Sequence, residues 1–225
     1  MSASKKGMSS HQLHRTLGVT YKTAWFMTHR VREAMKDPVF TRQLGGEGII
    51  VEVDETFWGN VGKHKPGSRG WSHKEKIFSL IERGGDVRSF HVPTVAAKTL
   101  KPIMREQIRK DTEIMTDDFR AYRGLADEFA DHQSVNHSAG EYVRGRIHTN
   151  TIENYFSILK RGLTGVYQHV GANHLRRYIG EFDFRYNNRG ISDEERAIVA
   201  LKGIDGKRLM FRDSSANQEV IKAVR

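Results

Sequence analysis

The sequence predicts an α/β fold: one mixed five-stranded sheet flanked by helices, with a small helical segment ahead of it. Two observations carry that expectation. Between residues 49 and 93 three strand-like runs follow one another through a loop and a tight turn, and from residue 98 onward helical and strand-like runs alternate. Strands joined by tight turns pair antiparallel, whereas helix-strand alternation builds parallel neighbours, so the two patterns together imply one mixed sheet with helices on its faces. With 225 residues, 37% of them apolar, the chain is long enough to bury a real core.

The elements follow in order. Residues 10–17 read as a short helix ended by Gly18, and Thr20 is placed to cap a longer helix with the apolar stripe Ala24, Met27, Val31 and Met35. A short helix, a glycine turn and a basic helix match a helix-turn-helix, with Lys22, His29, Arg30 and Arg32 on the polar side as DNA contacts. A plain helical hairpin is the alternative. "DPVF" at 37–40 stops the helix and "GGEG" follows at 45–48, giving a helical segment 1–44, a main domain 45–203 and a tail 204–225. "IIVEVDETFWG" (49–59) is strand-like, and a basic loop over 59–74 carries Lys63, Lys65 and Arg69. Residues 76–93 read as a hairpin turning at Gly84-Gly85.

Apolar residues at 100, 103, 104 and 108 mark a helix over 98–110, and "EIMT" a short strand ending at Asp117-Asp118. Residues 119–130 read as a helix with Phe119, Tyr122, Leu125 and Phe129 inward, and 132–137 as a last strand. Ile152, Phe156, Leu159 and Leu163 then recur at helical spacing behind Asn150, and Leu175, Ile179, Phe182 and Tyr186 mark a helix over 172–188. The tail beyond Gly203 has no comparable pattern.

Charge narrows the function. Lys and Arg number 37 against 27 Asp and Glu, a net +10 that favours a polyanionic partner, most commonly nucleic acid. No apolar run is long enough for a membrane span, and "MSASKKGMSSHQLHR" lacks the apolar stretch of a secretory signal. The absence of cysteine excludes disulfides and thiolate metal sites, which fits a cytoplasmic protein. The histidines show no zinc-binding spacing.

The carboxylates point to chemistry. Asp54 comes at the end of the first strand, Asp117 at the end of the fourth, and Glu153 lies in the first turn of a later helix. First and fourth strands of such a sheet can be neighbours, and ligands gather at carboxyl strand ends. Three acids in one place repel and are costly to bury, a penalty that a divalent cation with oxygen ligands removes. Two magnesium ions ~4 Å apart activate a water and stabilise the leaving oxygen of a phosphodiester. Alternatives stay open: Glu52 shares Asp54's face by period two, Asp118 rivals Asp117, and Glu153 stands three residues after Asn150 as in a capping box. A glutamate that reaches back to its own cap does not reach out to a metal.

"VEVDETFWG", "ERGGDVR", "MTDDFRAY", "VNHSAGEYV" and "HTNTIENYFSILKRGLTGVYQHV" followed by "HLRRYIGEFDFRYNNR" resemble the DDE-type insertion-sequence transposases, most closely the branch called insertion-sequence family fifteen-ninety-five. The resemblance runs from about Met8 to Arg189, and the 35 residues between Asp117 and Glu153 are a common integrase spacing. It implies a ribonuclease H-like fold, cleavage at transposon ends by water, and attack of the freed 3′-hydroxyl on target DNA. By the same resemblance Asp54, Asp117 and Glu153 hold two Mg2+ or Mn2+ ions, with double-stranded DNA as partner and at least a dimer on it. Lys160, seven residues after Glu153, stands where such transposases often carry a basic residue that contacts DNA. Arg161, Lys63, Lys65, Arg69, Lys22 and Arg30 are further DNA candidates. His148 and Asn150 flank the site. Some branches use Asn as the third ligand, which makes Asn150 and Asn154 rivals to Glu153. Members usually carry an N-terminal zinc ribbon with paired cysteines, so this sequence reads as a copy without one, and a DNA-binding remnant that cuts nothing is the alternative function.

Overall fold

The computed structural model describes residues 1–36, 42–59, 73–207 and 210. It falls into two compact units, Phe40–Phe156 and Met1–Val39 together with Ser157–Arg225. These do not follow the divisions expected at 44 and 203. The N-terminal helices cluster with the C-terminal ones, because α2 packs on α5 and α6, and the boundary between units falls within α4.

The unit Phe40–Phe156 is built on β1 (Ile50–Trp58), β2 (Glu75–Glu82), β3 (Val87–Val92), β4 (Glu113–Asp117) and β5 (Asp131–Val135), in the order β3-β2-β1-β4-β5. The first three pair antiparallel, and β4 and β5 join parallel to β1. Three antiparallel strands continued by two parallel ones around a central β1 is the ribonuclease H-like arrangement. Helix α3 (Ala97–Gln107) covers one face, where Val51, Val53, Phe78, Leu80, Leu100, Met104 and Ile114 form the apolar core. Alternation along β1 sends Glu52 and Asp54 to the opposite face. That face is polar at its centre: Ser79 Oγ bonds Ser89 Oγ at 2.8 Å, and Ser89 Oγ bonds the Tyr155 hydroxyl at 3.1 Å. Tyr155 belongs to α4 (Asn150–Gly162).

One expectation about this unit needs correction. Residues 119–130 form only a 3-10 turn at Arg120–Tyr122 and then irregular backbone. Gly124 sits at φ +77°, a left-handed conformation that interrupts a helix. Tyr122, Leu125 and Phe129 are nevertheless buried, so the inward set survives without the helix. The polar stretch before α4 contains a two-stranded ribbon, β6 (Val143–Arg144) with β7 (Ile147–His148), too short to leave a periodic signal.

In the other unit, α1 (Ser10–Leu17) ends at Gly18 with φ +64°, and α2 (Tyr21–Met35) is capped by Thr20, whose side chain accepts the Thr23 amide N–H. His29 and Arg32, expected on a DNA-facing side, are fully buried. Arg32 Nε donates to Glu181 Oε2 at 2.8 Å, and its guanidinium lies 3.9 Å from the Tyr178 ring centroid. Glu181 lies on α5 (Ala172–Asn187) and also accepts from the Tyr167 hydroxyl at 2.7 Å. Burial as one half of an ion pair, not solvent contact, explains Arg32, and His29 is buried against the rings of Trp25, His174 and Tyr178. A sixth helix, α6 (Asp193–Lys202), was not expected. It starts in a capping box, Ser192 with Glu195.

Candidate active site

The acids meet because of register. The parallel pairing of β1 with β4 runs as far as Glu52 opposite Met115. Asp54 lies two residues beyond Glu52, and Asp117 two residues beyond Met115 at the end of β4. The two are therefore level on neighbouring strands where that pairing stops. Asp54 was expected at a strand end and is in mid-strand instead, because β1 continues to Trp58 against Glu75 of β2. What ends near Asp54 is its parallel neighbour.

Their electrostatics show the crowding. Burial pushes the half-buried Asp54 carboxyl well above the usual carboxylate range, and the charges of Glu55, Asp117 and Glu153 add to it. The Glu55 amide N–H donates to Asp54 Oδ1 at 2.7 Å and works the other way without prevailing. Burial also raises Asp117, opposed by the Phe119 amide N–H at 3.2 Å and by His137, and reinforced by Asp118. Burial pushes Glu55 up to about 7, although the Tyr122 hydroxyl donates to its Oε2 at 2.6 Å. Carboxylates whose environments resist ionisation in this way are characteristic of functional clusters.

Glu153 stands apart in one respect. Helix α4 begins at Asn150, so Thr149 occupies the cap position, and the Glu153 amide N–H donates to the Thr149 carbonyl at 3.0 Å. Glu153 is thus one residue out of register for the capping box that its distance from Asn150 implied. Its Oε1 accepts from the Thr149 hydroxyl at 2.9 Å and lies 3.6 Å from His137 Nε2, while its side chain keeps 43% of its exposure. The cap itself comes from Glu52, whose Oε2 accepts the Ile152 amide N–H at 2.9 Å. Glu52 is committed to that role and does not compete with Asp54. Asp118 Oδ2 accepts from Asn136 Nδ2 at 3.3 Å.

The carboxylates of Asp54, Asp117 and Glu153 are hard oxygen donors that fit a divalent cation chemically. As the side chains stand, no three Asp, Glu or His among the described residues are grouped closely enough to grip an ion. The contact between Glu153 and Thr149 is one that a bound ion would have to replace.

The other expected residues separate clearly. His148 Nδ1 receives the Asn150 amide N–H at 3.3 Å and stands 3.0 Å from Arg83 Nη2. The same nitrogen lies 3.3 Å from Glu52 Oε1. His148 therefore belongs to the support of α4. Asn150 and Asn154 are exposed. Lys160 and Arg161 are exposed further along α4, and Lys22 and Arg30 are exposed on α2. Lys63, Lys65 and Arg69 lie outside the described residues. Sequence reasoning missed Glu55, His137 and Arg83. Glu55 points to the opposite face from Asp54 by strand alternation, so its coupling arises from adjacency alone. His137 and Arg83 stand in the quoted motifs but carry no spacing signal.

A five-stranded sheet of three antiparallel and two parallel strands, with Asp54 and Asp117 level where β1 and β4 part, defines the ribonuclease H-like class of fold. The sequence profile described as the ISXO2-like transposase domain matches residues 43–187, and the chain belongs to that family. It is similar to "Uncharacterized protein in transposable element ISH50" of Halobacterium salinarum, 30% identical over 196 residues, covering 79% of this chain and 64% of the relative. The chain thus spans just under two thirds of that relative's length. It is also similar to an "Uncharacterized transposase-like protein" of Haemophilus influenzae, 32% identical over 103 residues, covering 46% of this chain and 82% of the relative. Among solved structures, the simian T-cell lymphotropic virus intasome in complex with PP2A regulatory subunit B56 gamma contains a chain 14% identical to this one. The match covers 92% of this chain and 70% of that one at a TM-score of 0.34, too loose an overlap to bear on the site. Among the described residues, no helix is long and apolar enough to cross a membrane.

Proposed function

We propose that the protein is a metal-dependent DNA transposase that cuts at the ends of an insertion sequence and joins the freed 3′-hydroxyl to target DNA. The observation that supports this reading most is the register that sets Asp54 level with Asp117 where β1 and β4 part, close enough that the charges of Asp117 and Glu153 help to raise the Asp54 carboxyl; these are the three acids that the family resemblance nominates. Asp54, Asp117 and Glu153 are the residues that would hold Mg2+ or Mn2+. Bound there, two ions would polarise the attacking oxygen and neutralise charge on the leaving one.

The chain's own residues do the rest. Asp54 and Asp117 are fixed by strands, so their separation is set by the sheet. Glu153 is the adaptable member: its exposed carboxylate needs only to exchange the Thr149 hydroxyl for another partner. Burial raises Glu55 to about 7, so it is only partly ionised near neutral pH, and the Tyr122 hydroxyl donates to its Oε2, which reduces the negative charge beside the acids. Lys160 and Arg161, with Lys22, Arg30, Lys63, Lys65 and Arg69, supply phosphate contacts for double-stranded DNA. Two ends must be brought together, so the working species is a dimer or larger, in the cytoplasm and on DNA.

A cleavage and strand-transfer assay in Mn2+, on DNA carrying the flanking inverted repeats, tests this. Asp54→Asn, Asp117→Asn and Glu153→Gln should each lower cleavage by about two orders of magnitude or more. Wild-type activity in Asp54→Asn would reject the reading. Salt-sensitive DNA binding that persists in chelator, with no product under any metal, would instead establish a binding protein that does not cut.

A further inference from the structure

We propose that Glu52 and Arg83 are positioning residues of the acidic site, an ion pair that fixes the first turn of α4, and with it Glu153, against the strand that carries Asp54. The inference rests on the transposase reading and adds to it two residues that are not among the acids proposed to hold metal.

Glu52 has no solvent exposure. Its Oε1 accepts from Arg83 Nε at 2.6 Å and from the Thr151 hydroxyl at 2.9 Å, and its Oε2 accepts the Ile152 amide N–H at 2.9 Å. A helix start ordinarily takes its cap from the residue just before it. Here the Thr149 hydroxyl is turned to Glu153, and a strand residue 100 positions away takes the amide. The consequence is a short, stiff linkage. Asp54 is two residues along β1 from Glu52, Glu52 is hydrogen-bonded to Ile152, and Ile152 adjoins Glu153. No exposed or rotatable side chain other than Glu52's own lies between the two acids' backbones.

Arg83 completes the clamp. It follows β2 directly, and its amide N–H donates to the Ile50 carbonyl at 3.0 Å. Nη1 donates to the Arg146 carbonyl at 2.8 Å and Nη2 to the His148 carbonyl at 2.9 Å. One planar guanidinium therefore spans β1, the end of the β6–β7 ribbon and the entry to α4, a fork geometry that lysine cannot reproduce. Stability alone does not call for charge at this place, since a buried ion pair is often no more stabilising than apolar side chains of the same volume. What the pair adds is direction: two carboxylate oxygens and three guanidinium nitrogens make five hydrogen bonds in one arrangement. Partners behind a metal ligand act in this way on affinity and rate.

The test uses the full chain with three readouts: thermal melting, Mn2+ binding by calorimetry, and cleavage rate with DNA affinity measured separately. Glu52→Gln preserves shape and removes the charge, and Arg83→Lys preserves charge and removes the fork. In the folded variants, Mn2+ affinity and cleavage turnover should each fall by ~10–100-fold while DNA affinity is unchanged. A merely structural role would lower the melting temperature and leave Mn2+ affinity of the folded protein intact, and that result would overturn the proposal. Should Glu52→Gln not fold, Arg83→Lys decides by the same readouts. Failure of the transposase reading looks different: Asp54→Asn would then bind Mn2+ and cleave like wild type. If wild type binds no Mn2+, both fall together.

Discussion

Glu52 and Glu153 show how far a residue's chemistry depends on its neighbours. Both are acidic and either could be a cap or a ligand by pattern. The register of α4 decides between them, because starting at Asn150 puts Ile152 opposite Glu52 and leaves Glu153 free of the cap amide. Asp54 and Asp117 were legible in the sequence, since each follows an apolar strand run. Their raised proton affinities were not, because these arise chiefly from burial, which only the fold sets. His29 gives a sharper test at this scale. It is fully buried among Trp25, His174 and Tyr178, and neither ring nitrogen has a hydrogen-bond partner. Burial, with Arg32, His174 and Arg177 nearby, lowers its pKa to about 3 from 6.5. The folded state thus refuses a proton that the unfolded state takes. Its contribution is complete above pH 6.5 and is lost as pH falls towards 3, amounting to about 2 kcal/mol by pH 5. Urea melts at pH 7 and pH 5 should show this loss in wild type and a smaller one in His29→Leu. Equal losses in both would contradict the assignment.

At the scale of elements, strong periodicity read true and backbone conformation did not. Helices α1, α2, α3, α4 and α5 formed where apolar spacing put them, within a few residues. The helix expected over 119–130 failed at Gly124, whose left-handed φ outweighs a well-spaced apolar set. Helix α6 was overlooked although Ser192 and Glu195 announce it, because its stripe is weak: Ile198, Val199 and Leu201 all stay exposed. Ser192→Ala should cost about 1 kcal/mol by removing that cap, as read from chemical denaturation. Helix α2 carries the other lesson. A basic helix after a glycine turn invites a DNA-facing reading, yet Arg32 points inward to Glu181 on α5. Removing one member of a buried pair strands the other, so Arg32→Ala should destabilise by ~3 kcal/mol or more, although Glu181 keeps Arg185 at 3.2 Å. A loss below about 1 kcal/mol would show that Arg185 and Tyr167 suffice.

For the whole molecule, the mixed sheet was foreseeable from the order of runs, and the five strands pair as three antiparallel followed by two parallel. The division of the chain was not foreseeable, because it depends on α2 packing against helices more than 130 residues later in the sequence. With a net charge of +10, the proposed DNA binding should weaken with salt, and the slope of log affinity against log salt should count the phosphates engaged. Lys160→Ala combined with Arg161→Ala should reduce that slope by about two, measured by fluorescence anisotropy on duplex DNA. The central claim, that Asp54, Asp117 and Glu153 together hold divalent metal, is tested most directly by anomalous scattering from crystals of the full chain grown with Mn2+. The account predicts a manganese peak bounded by the carboxylates of Asp54 and Asp117, with Glu153 turned from Thr149 towards it. Manganese bound elsewhere, with these three carboxylates left as they stand, would contradict it.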